Sequence, residues 1–424
     1  MLSALRIFGR ILARHWPALV AWYLGGEALH TVLVEFAGFV GGHTTLGGLL
    51  LLPLAVAARL VSYIAMYLTV RVSLPHARVG ATASGYADFA RALLTAILPF
   101  FAFYASWGML DADQKEFFVI ASRVAFAATG YGLGEEIGDR GGLISVGLLP
   151  VTVLVIALLV RAALSRLRER APAWTLVLAA YAEVLWTFML FTLVGQWWSG
   201  VREWLAGRAG VAWFDGFGDW VAESFPPLAS VWEMVLWLIG VVVAAVVVPA
   251  AWLAVAGVIY GAGFASLPAG LQRRTESLRG AVGGLSRALL QRLEDLWSAV
   301  AAIWRGGPLL FGLFAVAYAL WALAERLGTR EVLRLIGGHD RDFWAAVLPL
   351  VLVGVAAVAE PLRVAIVATA FDAVIGRRDV DPAASGSLLD EESHLVGSAD
   401  GDVEPEGTAR VIGQEEDRED VVGG

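Results

Sequence analysis

Apolar residues in this chain neither alternate nor keep to one side of a helical period over most of its length; they come in long runs. These lie at about 16–38, 47–71, 92–111, 143–165, 173–195, 240–264, 307–326 and 344–376. Each reaches or approaches the roughly 20 residues a helix needs to cross a bilayer. In lipid a helix satisfies its own backbone polar groups, which an open strand cannot do. The pattern predicts an all-α, polytopic integral membrane protein with about eight transmembrane helices. The first run is long and lacks a small-x-small exit site, so it reads as a first span and not as a cleaved signal.

The runs repeat. Outward spans begin near Pro17, Pro99, Pro172 and Pro308, and returning spans carry an apolar-proline step at Pro53, Pro150, Pro249 and Pro349. Proline fits a first helical turn, where its missing N–H costs nothing. A second marker sits in the outward spans: "EALHT" at 27–31 and "EVLWT" at 183–187, "YASWG" at 104–108 and "YALWA" at 318–322. The expected organisation is four two-helix repeats in two parallel four-helix units, 1–170 and 171–378, related by an axis along the membrane normal.

Two segments break the pattern. Residues 271–304 place Leu278, Val282, Leu285, Leu289, Leu293, Leu296 and Val300 on one helical face with arginines at its rim. That predicts an amphipathic helix on the cytoplasmic leaflet. Residues 379–424 hold fourteen acids against Arg410 and Arg418, a net −12, so the rest of a chain of net charge −8 carries +4. This tail has no apolar period and is expected to be disordered, with a protein partner as its one conceivable ligand.

Composition agrees with the pattern: 424 residues, 58% hydrophobic and 17% charged, against about a quarter charged in soluble proteins. Cysteine is absent, which excludes disulfides, thiolate nucleophiles and Cys-held metal clusters. Lys115 is the sole lysine, an arginine bias of the kind a GC-rich bacterial genome produces. Eighteen basic residues fall in one set of connections and nine in the other. By the positive-inside rule both termini are cytoplasmic, in a multi-pass protein of the plasma (bacterial inner) membrane. The connection at 326–343, with four arginines on the outer side, fits this rule least well.

Charges inside the apolar runs are the candidate chemistry. Glu27 lies ten residues past Pro17, about 15 Å along a helix and so near mid-depth. His30 is one turn on, Arg59 sits at similar depth in the next run, and Glu183 matches Glu27 in the repeat. Glu360 and Arg363 share a helix face in the last run. A charge at the bilayer centre costs about 2.5–3.5 kcal/mol, so such residues face a bundle interior or aqueous cavity and find partners. Two readings follow: a path for an ion, proton or polar solute, or packing pairs in which Arg59 answers Glu27 or Glu183 and Arg363 answers Glu360. Glu35 lies near the outer edge and is expected to be solvated.

The connections carry weaker signals. "TGYGLG" at 129–134, after the short apolar stretch 117–129, resembles a potassium-channel filter, but the valine is missing and only one copy exists. It reads as a glycine-rich loop after an interfacial helix. The outer loop 196–231 holds Trp197, Trp198, Trp204, Trp213 and Trp220 among acids, as a segment on the outer leaflet would, or a platform for a glycan or headgroup. "GFGD" at 216–219 resembles the motif of intramembrane aspartyl proteases, but it lies in a polar loop, not an apolar helix.

No P-loop, HExxH, metal-spaced histidine cluster or G-x-S-x-G elbow is present, so no cofactor or metal is expected, and enzyme chemistry is left only to acids and tyrosines. Basic residues sit at membrane edges, which argues against nucleic acid; the partner is the lipid bilayer. The expected function is passive or ion-coupled passage of a small solute, ion or lipid through a cavity lined by Glu27, His30, Arg59 and Glu183. The alternative is a non-catalytic membrane scaffold or accessory subunit. Oligomeric state and substrate are not legible.

The topology is testable because the chain has no cysteine of its own. Single cysteines at Thr44 and Ser199 should react with an impermeant thiol reagent on intact cells, and one at Ser387 should not. Labelling at Ser387 alone would invert the orientation.

Overall fold

The computed structural model describes residues 2–77, 86–129, 141, 148–167, 175–208, 226–260 and 308–378. Every regular element among these is helical. In chain order they are α1 (Leu2–His43), α2 (Thr45–Arg71), α3 (Tyr86–Ser106), α4 (Met109–Ala128), α5 (Leu148–Leu167), α6 (Thr175–Ala206), α7 (Pro226–Tyr260), α8 (Pro308–Ile336) and α9 (Arg341–Arg378). They belong to one compact unit, Met1–Arg377. The amphipathic segment 271–304, the motif residues 130–134 and 216–219, Trp213, Trp220 and the tail 379–424 lie outside the described residues.

Among the described residues four helices are long and apolar enough to cross a membrane: Thr45–Arg71, Val177–Leu205, Leu309–Ile336 and Arg341–Gly376. A fifth candidate is a pair, Ala92–Ser106 with Met109–Ala128, bent by 76° at the break between them. Large apolar side chains left exposed form stripes. On α1 they are Trp22, Leu29, Val32, Phe36 and Phe39; on α8, Leu309, Leu313, Val316, Leu320 and Leu323. The spacing of three, four and seven puts each set on one helix face. Stripes of this size are a liability in water and natural against lipid tails.

Several helices outrun their apolar cores. α8 continues ten residues past 326 and α9 starts at Arg341, so the four-arginine connection shrinks to the turn 337–340, with Gly337 at φ 84°. Arg326, Arg330 and Arg334 ride on α8 itself. α6 likewise continues through Trp197, Trp198 and Trp204 to Ala206, so the outer loop expected from 196 begins as helix, with Arg208 stacked on Trp204 at 3.8 Å. Because the helices are long, Pro17, Pro53, Pro99, Pro249 and Pro349 fall inside them and not in first turns. Pro308 does open its helix. An interior proline leaves a carbonyl one turn back without its amide, which neighbouring helices in a membrane bundle can tolerate.

The first hairpin is the scaffold of the molecule. α1 and α2 run antiparallel and touch along their length, from His15 Nε2 on Ser73 Oγ (2.8 Å) to Gly41 against Gly48. Midway, Gly26 lies so close to Ser62 that a Cβ would fall on its side chain, and Ser62 Oγ donates to the Trp22 carbonyl at 2.7 Å. The lack of a side chain at Gly26 lets the two backbones approach at the level of Glu27.

α4 corrects the expectation of a short stretch at 117–129. The helix begins at Met109 and packs on α1, with Phe117 against Gly41, Ile120 against Gly38 and Val124 against Gly42. It runs in the same sense as α1. α3 ends because Gly108 adopts φ 75°, a left-handed cap that glycine takes without strain, with its N–H on the Ala105 carbonyl. Elsewhere α5 packs on α6, α3 on α6 and α7, and α7 on α8. α9 is pinned by Asp372, fully buried, which accepts the backbone N–H groups of His76 (2.8 Å) and Ala77 (3.0 Å) in the turn after α2.

The close approach gives a paired test. Gly26→Ala must push α1 from α2, and overpacking of this kind costs about 1–3 kcal/mol. Gly25, the next residue, has open space around it. Gly25→Ala should be neutral or stabilising by up to about 1 kcal/mol, from helix propensity. Thermal unfolding in detergent should separate the two variants, and equal effects would remove the close approach as a constraint.

Candidate functional site

Arg59 is the centre of a polar cluster drawn from four helices. Its Nε and Nη2 donate to Glu27 Oε2 and Oε1 at 3.0 and 2.8 Å, a two-pronged fork. Its Nη1 donates to the Tyr104 hydroxyl at 2.7 Å and lies 3.5 Å from Asp113 Oδ1. Tyr104 in turn donates to Asp113 Oδ2 at 2.5 Å. His30 closes the cluster, with Nε2 3.3 Å from Asp113 Oδ1 and Nδ1 2.9 Å from the Ala55 carbonyl. The local reasons are plain. Glu27 and His30 are one turn apart on α1, Ala55 and Arg59 one turn apart on α2, and the Gly26–Ser62 contact holds the two faces together.

A second cluster faces the first. Glu360 is ion-paired with Arg363 on the same face of α9. Tyr63, one turn past Arg59 on α2, donates to Glu360 Oε2 at 3.1 Å and accepts from Arg363 Nη2 at 2.9 Å. The Arg363 guanidinium lies 3.8 Å from the centre of the Trp252 ring, a cation–π contact that partly replaces lost hydration. Trp252 stacks on Trp107, and Trp107 on Phe103.

Between the clusters is a cavity of about 170 Å³. Glu27, Arg59, Tyr104, Tyr63 and Glu360 line it, together with Tyr23, Val255 and the apolar rings of Phe100, Phe103, Trp107 and Trp252. Met109, the first residue of α4, also reaches it, so the break in the α3–α4 pair opens onto the same space. The side chains of Glu27 and Arg59 retain 18% and 24% exposure, which the cavity provides.

Of the six residues singled out in the sequence, the structure brings Glu27, His30 and Arg59 into one cluster and Glu360 and Arg363 into its neighbour. Glu27, Arg59 and Glu360 line the cavity. His30 is buried behind them at 2% exposure. Glu183 is elsewhere. It is buried and ion-paired with Arg161 Nε of α5 at 2.5 Å, so it lines neither the cavity nor the Arg59 cluster. The matched glutamates thus take their arginines differently, Glu27 from the helix that follows and Glu183 from the helix before. Glu35 is exposed.

Sequence reasoning missed Asp113, Tyr104 and Tyr63. Asp113 sits in "DADQKE", which looks like a solvated loop. A signal was there: Leu110, Asp113, Phe117, Ala121 and Ala125 are spaced by three and four, and all five are buried. That spacing puts Asp113 on the inner face of a helix.

Among the described residues no group of three or more histidines and acids is placed to hold a metal ion. The groups gathered here can hydrogen-bond and pair charges. No protein-family model, curated protein or solved structure matches the chain.

Because Arg59 answers two carboxylates, its loss should be worse than the loss of either acid. Removing one partner of a buried pair typically costs about 3–5 kcal/mol. Arg59→Gln should reach that range and lower folded yield sharply. Glu27→Gln should cost less, since Asp113 and Tyr104 still hold the guanidinium. In the double variant the two losses should not add. Thermal denaturation of the four proteins tests this, and additive effects would show that the fork contributes nothing.

Proposed function

We propose that the protein is a multi-pass membrane protein that lets a small polar solute or ion pass through the space between the Arg59 and Glu360 clusters. In this reading both termini are cytoplasmic, and the eight apolar runs are eight spans in two four-helix units, 1–170 and 171–378. One observation supports it above the rest: a cavity of about 170 Å³, walled by Glu27, Arg59 and Glu360, lies inside a bundle whose outer surface is apolar. Charges that served packing alone would be held best in a closed, dry contact, where their mutual attraction is strongest. Here three of them border open space.

The broken pair α3–α4 supports the same reading. Discontinuous helices at mid-depth are where membrane transporters bind solutes, because the break frees backbone groups and small movements of either half change access. The break at Trp107–Gly108 opens beside the cavity, and its φ 75° glycine is a natural pivot.

Met109→Cys tests access and passage together. In this cysteine-free chain a hydrophilic thiol reagent should modify the cysteine at 109. Leu253→Cys, buried and not on the cavity wall, should stay unmodified. Proteoliposomes should pass protons, alkali cations or small alkylammonium ions above the protein-free background, and modification at 109 should remove most of that flux. An unreactive cysteine together with background flux for all three would move the protein to the scaffold or accessory-subunit reading.

A further inference from the structure

We infer that the cavity recognises a small organic cation, an alkylated ammonium group. Such recognition rests on the reading above, in which a solute enters this space, and it names the class of solute. Among the described residues twelve line the cavity and seven of them are aromatic, in a chain that is 11% aromatic. Six of the rings form a continuous belt. Tyr104 stacks on Phe100 with centroids 5.5 Å apart, and Phe100 meets Tyr63 at 6.1 Å. Tyr63 meets Trp252 at 5.3 Å, Trp252 stacks on Trp107 at 5.3 Å, and Trp107 on Phe103 at 5.6 Å. Near-parallel rings at these separations are slid past one another, which leaves part of each face uncovered.

The face of an aromatic ring is negative, so it attracts a cation without a hydrogen bond. The belt already does this outside the cavity, where the Arg363 guanidinium lies 3.8 Å from the centre of the Trp252 ring and 5.3 Å from that of Tyr63. The charged side chains on the wall act in the same sense. They are Glu27 and Glu360 against Arg59. Arg59 is taken up by Glu27, Tyr104 and Asp113. Glu360 is buried, at 7% exposure, and its Oε2 accepts from Tyr63 and pairs with Arg363. Its Oε1 accepts no hydrogen bond among the described residues, which leaves a carboxylate oxygen for a cation in the cavity.

Other solutes fit less well. An anion would meet two carboxylates and the negative ring faces. An alkali cation gives up its water only to a shell of oxygens, and this wall is mostly rings. An alkylated ammonium spreads its charge over methyl groups that pack on aromatic faces, which is how such ions are recognised in general.

The test is calorimetric titration of the protein in lipid nanodiscs, with empty nanodiscs as the blank. The probes are choline, its uncharged carbon analogue with a tert-butyl group in place of trimethylammonium, and potassium ion. Choline should bind, and the other two should bind much more weakly. Trp107→Leu should weaken choline binding about three- to thirtyfold. Trp197→Leu, at an exposed ring off the wall, should leave it unchanged. If Trp107→Leu does not fold, Met109→Cys gives a second measurement: choline should slow modification by the thiol reagent and the carbon analogue should not. No choline binding, equal binding of choline and its analogue, or equal effects of the two tryptophan variants would overturn the inference. Choline binding without flux would keep this site and remove passage. Flux of protons or alkali cations in a protein that binds no choline would keep passage and remove this site.

Discussion

A guanidinium deep in an apolar bundle must be answered on every side, and the architecture around Arg59 follows from that demand. It carries five donors and cannot give up its charge. Two go to Glu27 in a fork, and Nη1 goes to Tyr104 and faces Asp113. These partners come from α1, α3 and α4, so the need to satisfy one side chain ties four helices together. The glycine contact at Gly26 and the turn at Gly108 are the backbone features that let them meet. Without the first, Glu27 and Arg59 would stand too far apart for a fork. Without the second, α3 would continue straight and Asp113 would not return to α1.

The result is a molecule with its polarity inside. Leucines and phenylalanines face outward in stripes, as lipid contact allows, while carboxylates, arginines and tyrosines face one another across a small cavity. The two clusters solve the same problem by different means. Arg59 is answered by two carboxylates, Glu27 and Asp113, and by the Tyr104 hydroxyl. Arg363 has one carboxylate, and its remaining exposure is taken up by Tyr63 and the face of Trp252.

The helical class and the membrane setting were legible because the signal is a one-dimensional quantity, the length of an apolar run against the thickness of a bilayer. The interest of Glu27, His30, Arg59, Glu360 and Arg363 was legible for the same reason: a charge within such a run is expensive wherever its partners lie. Depth counted along a helix even set Glu27 and Arg59 at one level. Boundaries were less legible, since α6, α8 and α9 continue past their apolar runs into stretches that read as loops by composition, and helix propensity does not stop where hydrophobicity does.

Pairing was the part that only the tertiary structure decided. Glu27 and Glu183 are nearly interchangeable in sequence context, yet one joins Arg59 at a cavity and the other is buried against Arg161. Which arginine each meets depends on helix rotation and close approach, set by side-chain-free contacts such as Gly26 on Ser62 and Gly41 on Phe117. Asp113 shows the same limit from the other side. Its neighbours in sequence are polar, and it becomes part of the site only because a left-handed glycine five residues earlier turns the chain back toward α1. The apolar pattern fixes what must be buried. The meeting of particular charges is a property of three-dimensional packing, because electrostatic pairing acts over a few ångströms and is blind to separation along the chain.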